Sequence, residues 1–181
     1  MNNSLKKILL LAGFFVLLMA IPFLDFHSED EFSTISFAGT GNSSTFPIED
    51  FELTSISGQS SHISDYFGTP MVLNFFATWC GPCEAEMPLL DDFSVRLKDE
   101  ALFFGINTGE DKEIVSEFID KEEISFEIFL DPNNKISRQF LVRGLPTTIF
   151  IDKNGVMVAK HIGLLTPELL DGYLNKLGLN Q

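Results

Sequence analysis

Cysteine is scarce in this chain of 181 residues: there are two, Cys80 and Cys83, and they stand three positions apart. A structural disulfide framework needs more of them, spread along the chain, so cross-links do not hold this fold together. With no other thiol to mispair, these two are free to cycle between dithiol and disulfide. Histidine is nearly as rare, and His27, His62 and His161 are scattered. A structural zinc site asks for four ligands, yet there is no second Cys-x-x-Cys and no paired histidine, so no metal or other cofactor is expected. Basic residues are few: twelve Lys and Arg stand against twenty-six Asp and Glu, for a formal net charge of −14. Such a surface repels phosphate backbones and argues against nucleic acid as a partner. Tyr and Trp are rare beside nineteen Phe. Phe has no polar handle, so most of these rings read as core filling rather than ligand stacking. No internal repeat is present.

The amino end has a different character. Lys6 and Lys7 precede Ile8–Leu24, a run of apolar residues without a charge. Its length is at the low end for a spanning helix. Around Ala20 the small-residue pattern of a cleavage site is poorly matched, which favours an uncleaved signal anchor over residues 1–24. No cysteine follows the run to carry a lipid. The two lysines would keep the amino end in the cytoplasm and place everything after Leu24 outside. A single-pass cell-membrane protein with its folded part extracytoplasmic is the expectation. Residues 25–45 are rich in Ser, Thr, Gly and acid and show no periodicity, as a flexible tether does. As a coil, about twenty residues span roughly 25 Å.

From 46 to 181 the pattern is α/β. The run Phe51–Ile56 meets a turn at Ser57-Gly58, and Met71–Ala77 is a near-continuous apolar run suited to a strand buried on both faces. Beyond Cys83, Met87, Leu90, Phe93 and Leu97 recur at helical spacing, with Pro88 expected to kink the helix. Ala101–Asn107 reads as another buried strand, and Ile114, Val115, Phe118 and Ile119 as the stripe of a second helix. Phe126–Leu130 reads as a short strand, and a helical stretch opens at Asp131-Pro132 and runs to about Leu141. Thr147–Ile151 and Val156–His161 form a hairpin through Asp152-Lys153-Asn154-Gly155. Thr166-Pro167-Glu168 caps a last helix carrying Leu169, Leu170, Tyr173, Leu174 and Leu177. Alternating strands and helices with a late hairpin imply a mixed central sheet covered by helices.

The chemistry concentrates at Trp79-Cys80-Gly81-Pro82-Cys83. A dithiol catalyst needs two sulfurs close enough to bond, one reactive and one protected. Three-residue spacing at a helix start gives both, with the first cysteine at the mouth and the second a turn inside. Unpaired N–H groups and the dipole at that end favour thiolate at Cys80. Pro82 suits the first turn, where its missing N–H is not needed. Cys80 is therefore the expected attacking thiolate and Cys83 the resolving thiol.

The run NFFATWCGPCEAEMP, followed about sixty residues later by VRGLPTTIFIDKNG, resembles the TlpA/ResA-like branch of the thioredoxin superfamily. The resemblance implies a thioredoxin fold with an added N-terminal β-hairpin, tethered outside the membrane and reducing disulfides in client proteins. Such members serve cytochrome c maturation, spore-envelope assembly or thiol homeostasis, so an apocytochrome c is one client to expect. It also implies a membrane electron donor of the CcdA or DsbD kind, since an extracytoplasmic compartment is oxidising. Pro146 matches the superfamily's cis-proline, which would set Leu145 and Thr147 beside Cys80 and leave the Leu145 backbone free for an extended substrate. With Trp79, Gly81 and Pro82, these three residues make the expected client-binding surface. Glu86 matches the family's acidic residue three positions after the second cysteine, on the same helix face as Cys83. Buried there, its carboxyl would have a raised pKa and could exchange protons with the resolving thiol. Cytoplasmic thioredoxins carry a buried aspartate where this chain has Asn74, which cannot titrate. Gly81-Pro82 is the general thioredoxin dipeptide, whereas haem-pathway members often have an acidic residue first.

Three other functions fit parts of this pattern. A disulfide-donating oxidant would use the same residues in reverse. A thiol peroxidase usually wants Thr or Ser three residues before its reactive cysteine, but Thr78 is two before, and the nearest upstream proline is Pro70. A copper-binding protein of this fold would need a histidine beside the thiols, for which His161 is the one candidate.

Overall fold

The computed structural model describes residues 46–179. The expected anchor (1–24) and tether (25–45) lie outside the described residues. The chain enters as a two-residue strand, Phe46–Pro47 (β1), and continues into a hairpin of Glu52–Ser55 (β2) and Ser60–His62 (β3), then a 3-10 turn at Ile63–Tyr66. The ββ connection is the turn at Ser57-Gly58, where Gly58 takes φ 86° and its N–H donates to the Ser55 carbonyl. Met71–Phe76 (β4) follows, then helix Gly81–Arg96 (α1), Leu102–Thr108 (β5), helix Lys112–Lys121 (α2) and Glu127–Asp131 (β6). The chain closes with a short helix Lys135–Gln139 (α3), Thr147–Ile151 (β7), Val156–Ile162 (β8) and helix Pro167–Lys176 (α4).

These strands form one mixed sheet in the order β1-β8-β7-β4-β5-β6-β2-β3. β4, β5 and β6 run parallel, and every other pair is antiparallel. This is the thioredoxin fold with its added N-terminal hairpin, β2-β3, extending one edge. Phe46–Pro47 pairs with β8 at the opposite edge, a contact too short to leave a periodic signal.

β4 is buried at all six positions because both its faces are covered. Met71, Leu73 and Phe75 pack with Phe104, Phe129, Ile136 and Phe140 on one side of the sheet. Val72 packs with Leu90, Phe93, Phe150, Leu170 and Leu174 on the other, and Phe76 with Met87, Val115 and Phe118. Burying each such side chain stabilises the fold by about 1.5–3 kcal/mol. Asn74 lies between Val72 and Phe76 on the helix-covered face, where a polar group must find an internal partner.

Pro88 lies inside α1, which runs on past it to Arg96. Two local details differ from the sequence pattern. α3 covers only residues 135–139, because Asn134 adopts a left-handed conformation (φ 55°) that cannot extend a helix backwards. The Asp131 side chain accepts from the N–H groups of Ile136 and Ser137, so it does open this helical turn, from four residues away. Ile114 and Leu169 are exposed, and the inward stripes rest on Val115 and Phe118 in α2 and on Leu170 and Leu174 in α4.

Candidate redox site

The two cysteines sit where β4 gives way to α1. The link Ala77–Cys80 is closed by the Cys80 N–H donating to the Ala77 carbonyl at 3.1 Å. Cys80 caps the helix: its carbonyl accepts from the N–H groups of Cys83 and Glu84, and its Sγ accepts from the Cys83 N–H at 3.3 Å. Pro82 lies in the first turn. Cys80 and Cys83 are joined as a disulfide with their Cα atoms 5.2 Å apart, a separation a bridge spans without backbone movement. Cys80 is 5% exposed and Cys83 is fully buried, so the first cysteine is the less enclosed of the two. Gly81 and Pro82 are exposed, and Trp79 stands 74% exposed beside them.

Across from the helix mouth, the Leu145–Pro146 bond is cis. Leu145 is half-buried against the cluster that contains both cysteines, while Pro146 and Thr147 are buried. The Thr147 hydroxyl donates back to the Gly144 carbonyl at 2.7 Å, and the Pro146 carbonyl accepts from the Gly163 N–H at 2.9 Å. Among the described residues, the Leu145 N–H and carbonyl have no hydrogen-bond partner.

Glu86 is 1% exposed, one helical turn beyond Cys83. Its Oε1 accepts from Asn74 Nδ2 at 2.7 Å and its Oε2 from the Leu165 N–H at 2.8 Å. Burial pushes the carboxyl above the ordinary carboxylate range; the Leu165 and Asn74 donors pull the other way without cancelling it. Asn74 Nδ2 also donates to Thr148 Oγ1 at 3.0 Å, which links β4, β7, α1 and the loop before α4. Asn74 therefore does not replace an acid. It holds the acid that α1 supplies.

Sequence reasoning missed a second carboxyl group near the motif. Glu110 Oε2 accepts from the Thr78 N–H at 2.7 Å and from Asn107 Nδ2 at 2.8 Å, and Oε1 accepts from Thr78 Oγ1 at 2.6 Å. It thereby fixes the segment two residues ahead of Cys80. The available signal was topological: Phe76 and Asn107 are register partners in parallel strands, so the loops that follow them must lie side by side. Leu165 was missed as well, because it reaches Glu86 only through the fold, and His161, weighed in the sequence as a copper ligand, instead contacts the Leu164 carbonyl.

The pattern of the AhpC/TSA family matches residues 45–160. The thiol-disulfide oxidoreductase ResA of Geobacillus kaustophilus is 35% identical over 129 residues, which are 71% of this chain and 74% of that one. This chain belongs to the ResA-like thiol-disulfide oxidoreductases. Among solved structures, a DsbF homologue from Corynebacterium diphtheriae shares 25% identity over 76% of this chain and 90% of its own, with a TM-score of 0.69. An exposed lipoprotein thioredoxin of Streptococcus pneumoniae shares 29% identity over 71% of this chain and the whole of its own, with a TM-score of 0.62.

For a ResA-like enzyme the chemistry is thiol-disulfide exchange, and disulfide-bearing proteins are its clients. Two residues weighed for other functions have their polar atoms engaged. The Thr78 hydroxyl donates to Glu110, and both ring nitrogens of His161 have partners, Tyr173 Oη and the Leu164 carbonyl.

Proposed function

We propose that this chain is a membrane-anchored, extracytoplasmic reductase of client disulfides. The observation that carries the reading is the placement of the pair, with Cys80 capping α1 and Cys83 fully buried in its first turn, one turn from a buried Glu86. Cys80, as thiolate, attacks one sulfur of the client disulfide. The other client sulfur leaves as thiolate and takes up a proton. Cys83 then passes its proton to the Glu86 carboxylate and attacks the Cys80 sulfur, which expels the second client sulfur as thiolate, to be protonated by solvent, and closes the Cys80–Cys83 bond. Trp79, Gly81 and Pro82 flank the attacked sulfur, and the unpaired backbone of Leu145 offers a donor and an acceptor to an extended client segment. Pro146 and Thr147 hold that segment against the cysteines.

Re-reduction in an oxidising compartment calls for electrons from across the membrane, and a donor of the CcdA or DsbD kind fits that need. The apolar run at Ile8–Leu24 would keep the enzyme beside such a donor. Envelope thiol homeostasis and cytochrome c maturation, with apocytochrome c as client, are the two settings that fit a reductase placed there.

Two measurements test this reading. In Cys83→Ser, mixed disulfides with clients accumulate at Cys80; if only Cys80→Ser traps clients, the roles are reversed. The reduction potential of the full-length chain is expected near about −270 mV, the thioredoxin range. A value near about −120 mV, the range of strong oxidants, would make the chain a disulfide donor instead.

A further inference from the structure

Three consecutive residues between β8 and α4 each tie down a different part of the site. The Gly163 N–H donates to the Pro146 carbonyl at 2.9 Å. The Leu164 carbonyl lies 3.2 Å from His161 Nε2. The Leu165 N–H donates to Glu86 Oε2 at 2.8 Å. Leu164 C=O and Leu165 N–H belong to one peptide unit, which is planar, so fixing the direction of its oxygen fixes the direction of its hydrogen. A hydrogen bond accepted at the oxygen also polarises the unit and strengthens the N–H as a donor.

The partner at Nε2 fixes the direction of that hydrogen bond. A carbonyl can only accept, so Nε2 carries the proton and donates to Leu164. Nδ1 lies 3.3 Å from the Tyr173 hydroxyl on α4, which can donate or accept there, and this second contact holds the ring in place. Its strand position serves the same end: His161 is the register partner of Thr148, which accepts from Asn74, the second donor to Glu86.

We propose that His161 is a positioning residue of the redox site, orienting the Leu164–Leu165 peptide so that its N–H holds the carboxyl of Glu86, one helical turn from Cys83. The residue acts through Glu86 and touches neither sulfur nor client. The polar and titratable groups around the relay are Tyr173 on α4, with Lys176 Nζ 5.0 Å from the Tyr173 ring centre, Asn74, which joins Glu86 to Thr148, and Cys83 one turn before Glu86 on α1. The consequence has a definite sign. Losing a donor that favours the ionised carboxyl raises the Glu86 pKa further.

The proposal rests on the reading of Glu86 as the proton acceptor for Cys83, and the test separates the two. The full-length chain is labelled with 13C-glutamate, and the Glu86 carboxyl signal is assigned by its loss in Glu86→Gln. In His161→Leu the Glu86 titration is expected to move upward by half a pH unit or more, roughly a threefold change in proton affinity. His161→Gln, which keeps an amide donor, is expected to restore most of it. An unmoved titration in a folded His161→Leu overturns the proposal. Should that variant fail to fold, His161→Ser, too short to reach the carbonyl, is titrated with the same two outcomes. If the Glu86 titration moves while the pH profile of insulin reduction does not, His161 positions Glu86 as proposed and the proton-accepting role of Glu86 is what fails.

Discussion

Replacing Glu86 by Gln keeps the shape of the side chain and removes its charge. The new amide must present an N–H₂ where the carboxyl accepted from Asn74 or Leu165. Leu165 offers only a donor, but Asn74 Oδ1 is buried without a partner and a flip of that amide would supply an acceptor. Glu86→Gln should therefore fold. A carboxyl whose folded pKa is raised stabilises the protein most at pH values below its unfolded pKa, and that contribution is lost as pH rises through the folded pKa. Urea unfolding of the oxidised proteins should thus show wild type losing ground to Glu86→Gln as pH rises from acid to neutral. A constant difference across that range would mean that Glu86 does not titrate in this window. The variant should also slow reduction at neutral pH and flatten its pH profile. Glu110 makes a different prediction, because it holds backbone rather than protons. Glu110→Ala removes two hydrogen bonds from Thr78 ahead of Cys80 and one from Asn107 in β5, and should cost about 1–3 kcal/mol by chemical denaturation. The cysteine pair was legible in its own spacing, and Glu86 in the family resemblance, which marks the acidic residue three positions after Cys83 on the same helix face. Glu110 and Leu165 were not, since they reach Thr78 and Glu86 across 32 and 79 residues of chain.

At the scale of the element, the chemistry depends on how closely the central strands carry α1. Gly105 lies in β5 next to Asn74, and a Cβ there would stand 2.4 Å from Ile128 Cδ1, 3.1 Å from Phe76 and 3.3 Å from Phe126. The closest atom is the tip of a flexible side chain, but Ile128 is itself buried. Gly105→Ala should destabilise by about 1–3 kcal/mol through overpacking. Ile128→Val, which deletes the offending methyl, should alone cost about 0.5–1.5 kcal/mol. The double variant should cost less than the sum, and strict additivity by chemical denaturation would show that the crowding lies elsewhere. Long elements were readable for the same packing reason: Met87, Leu90, Phe93 and Leu97 are all buried, as their spacing demands. β1 and α3 were hard to read because two and five residues are too few for a period to show. Ile114 and Leu169 show the limit of a hydrophobic stripe, which identifies a helix face without fixing its exact edge.

The whole molecule adds charge. Ten basic and twenty-six acidic residues follow Leu24, so a client approaches a strongly negative body whatever the local contacts at Trp79 and Leu145. Opposite charge raises encounter rates and like charge lowers them, and salt erases both effects. Between about 0.01 M and about 0.5 M salt the Debye length shrinks from roughly 30 Å to under about 8 Å. Three disulfide-bridged peptides of matched sequence around the bond, but basic, neutral or acidic in their flanks, separate steering from chemistry. Over that salt range the second-order rate of reducing the basic peptide should fall by about tenfold, and that of the acidic one should rise. The neutral peptide reports the exchange step itself and should change little, because Cys83 and Glu86 are shielded from solvent ions. If all three peptides respond alike, salt acts on the buried site rather than on encounter. The acidic surface would then serve solubility alone, and client choice would rest on the contacts beside Cys80.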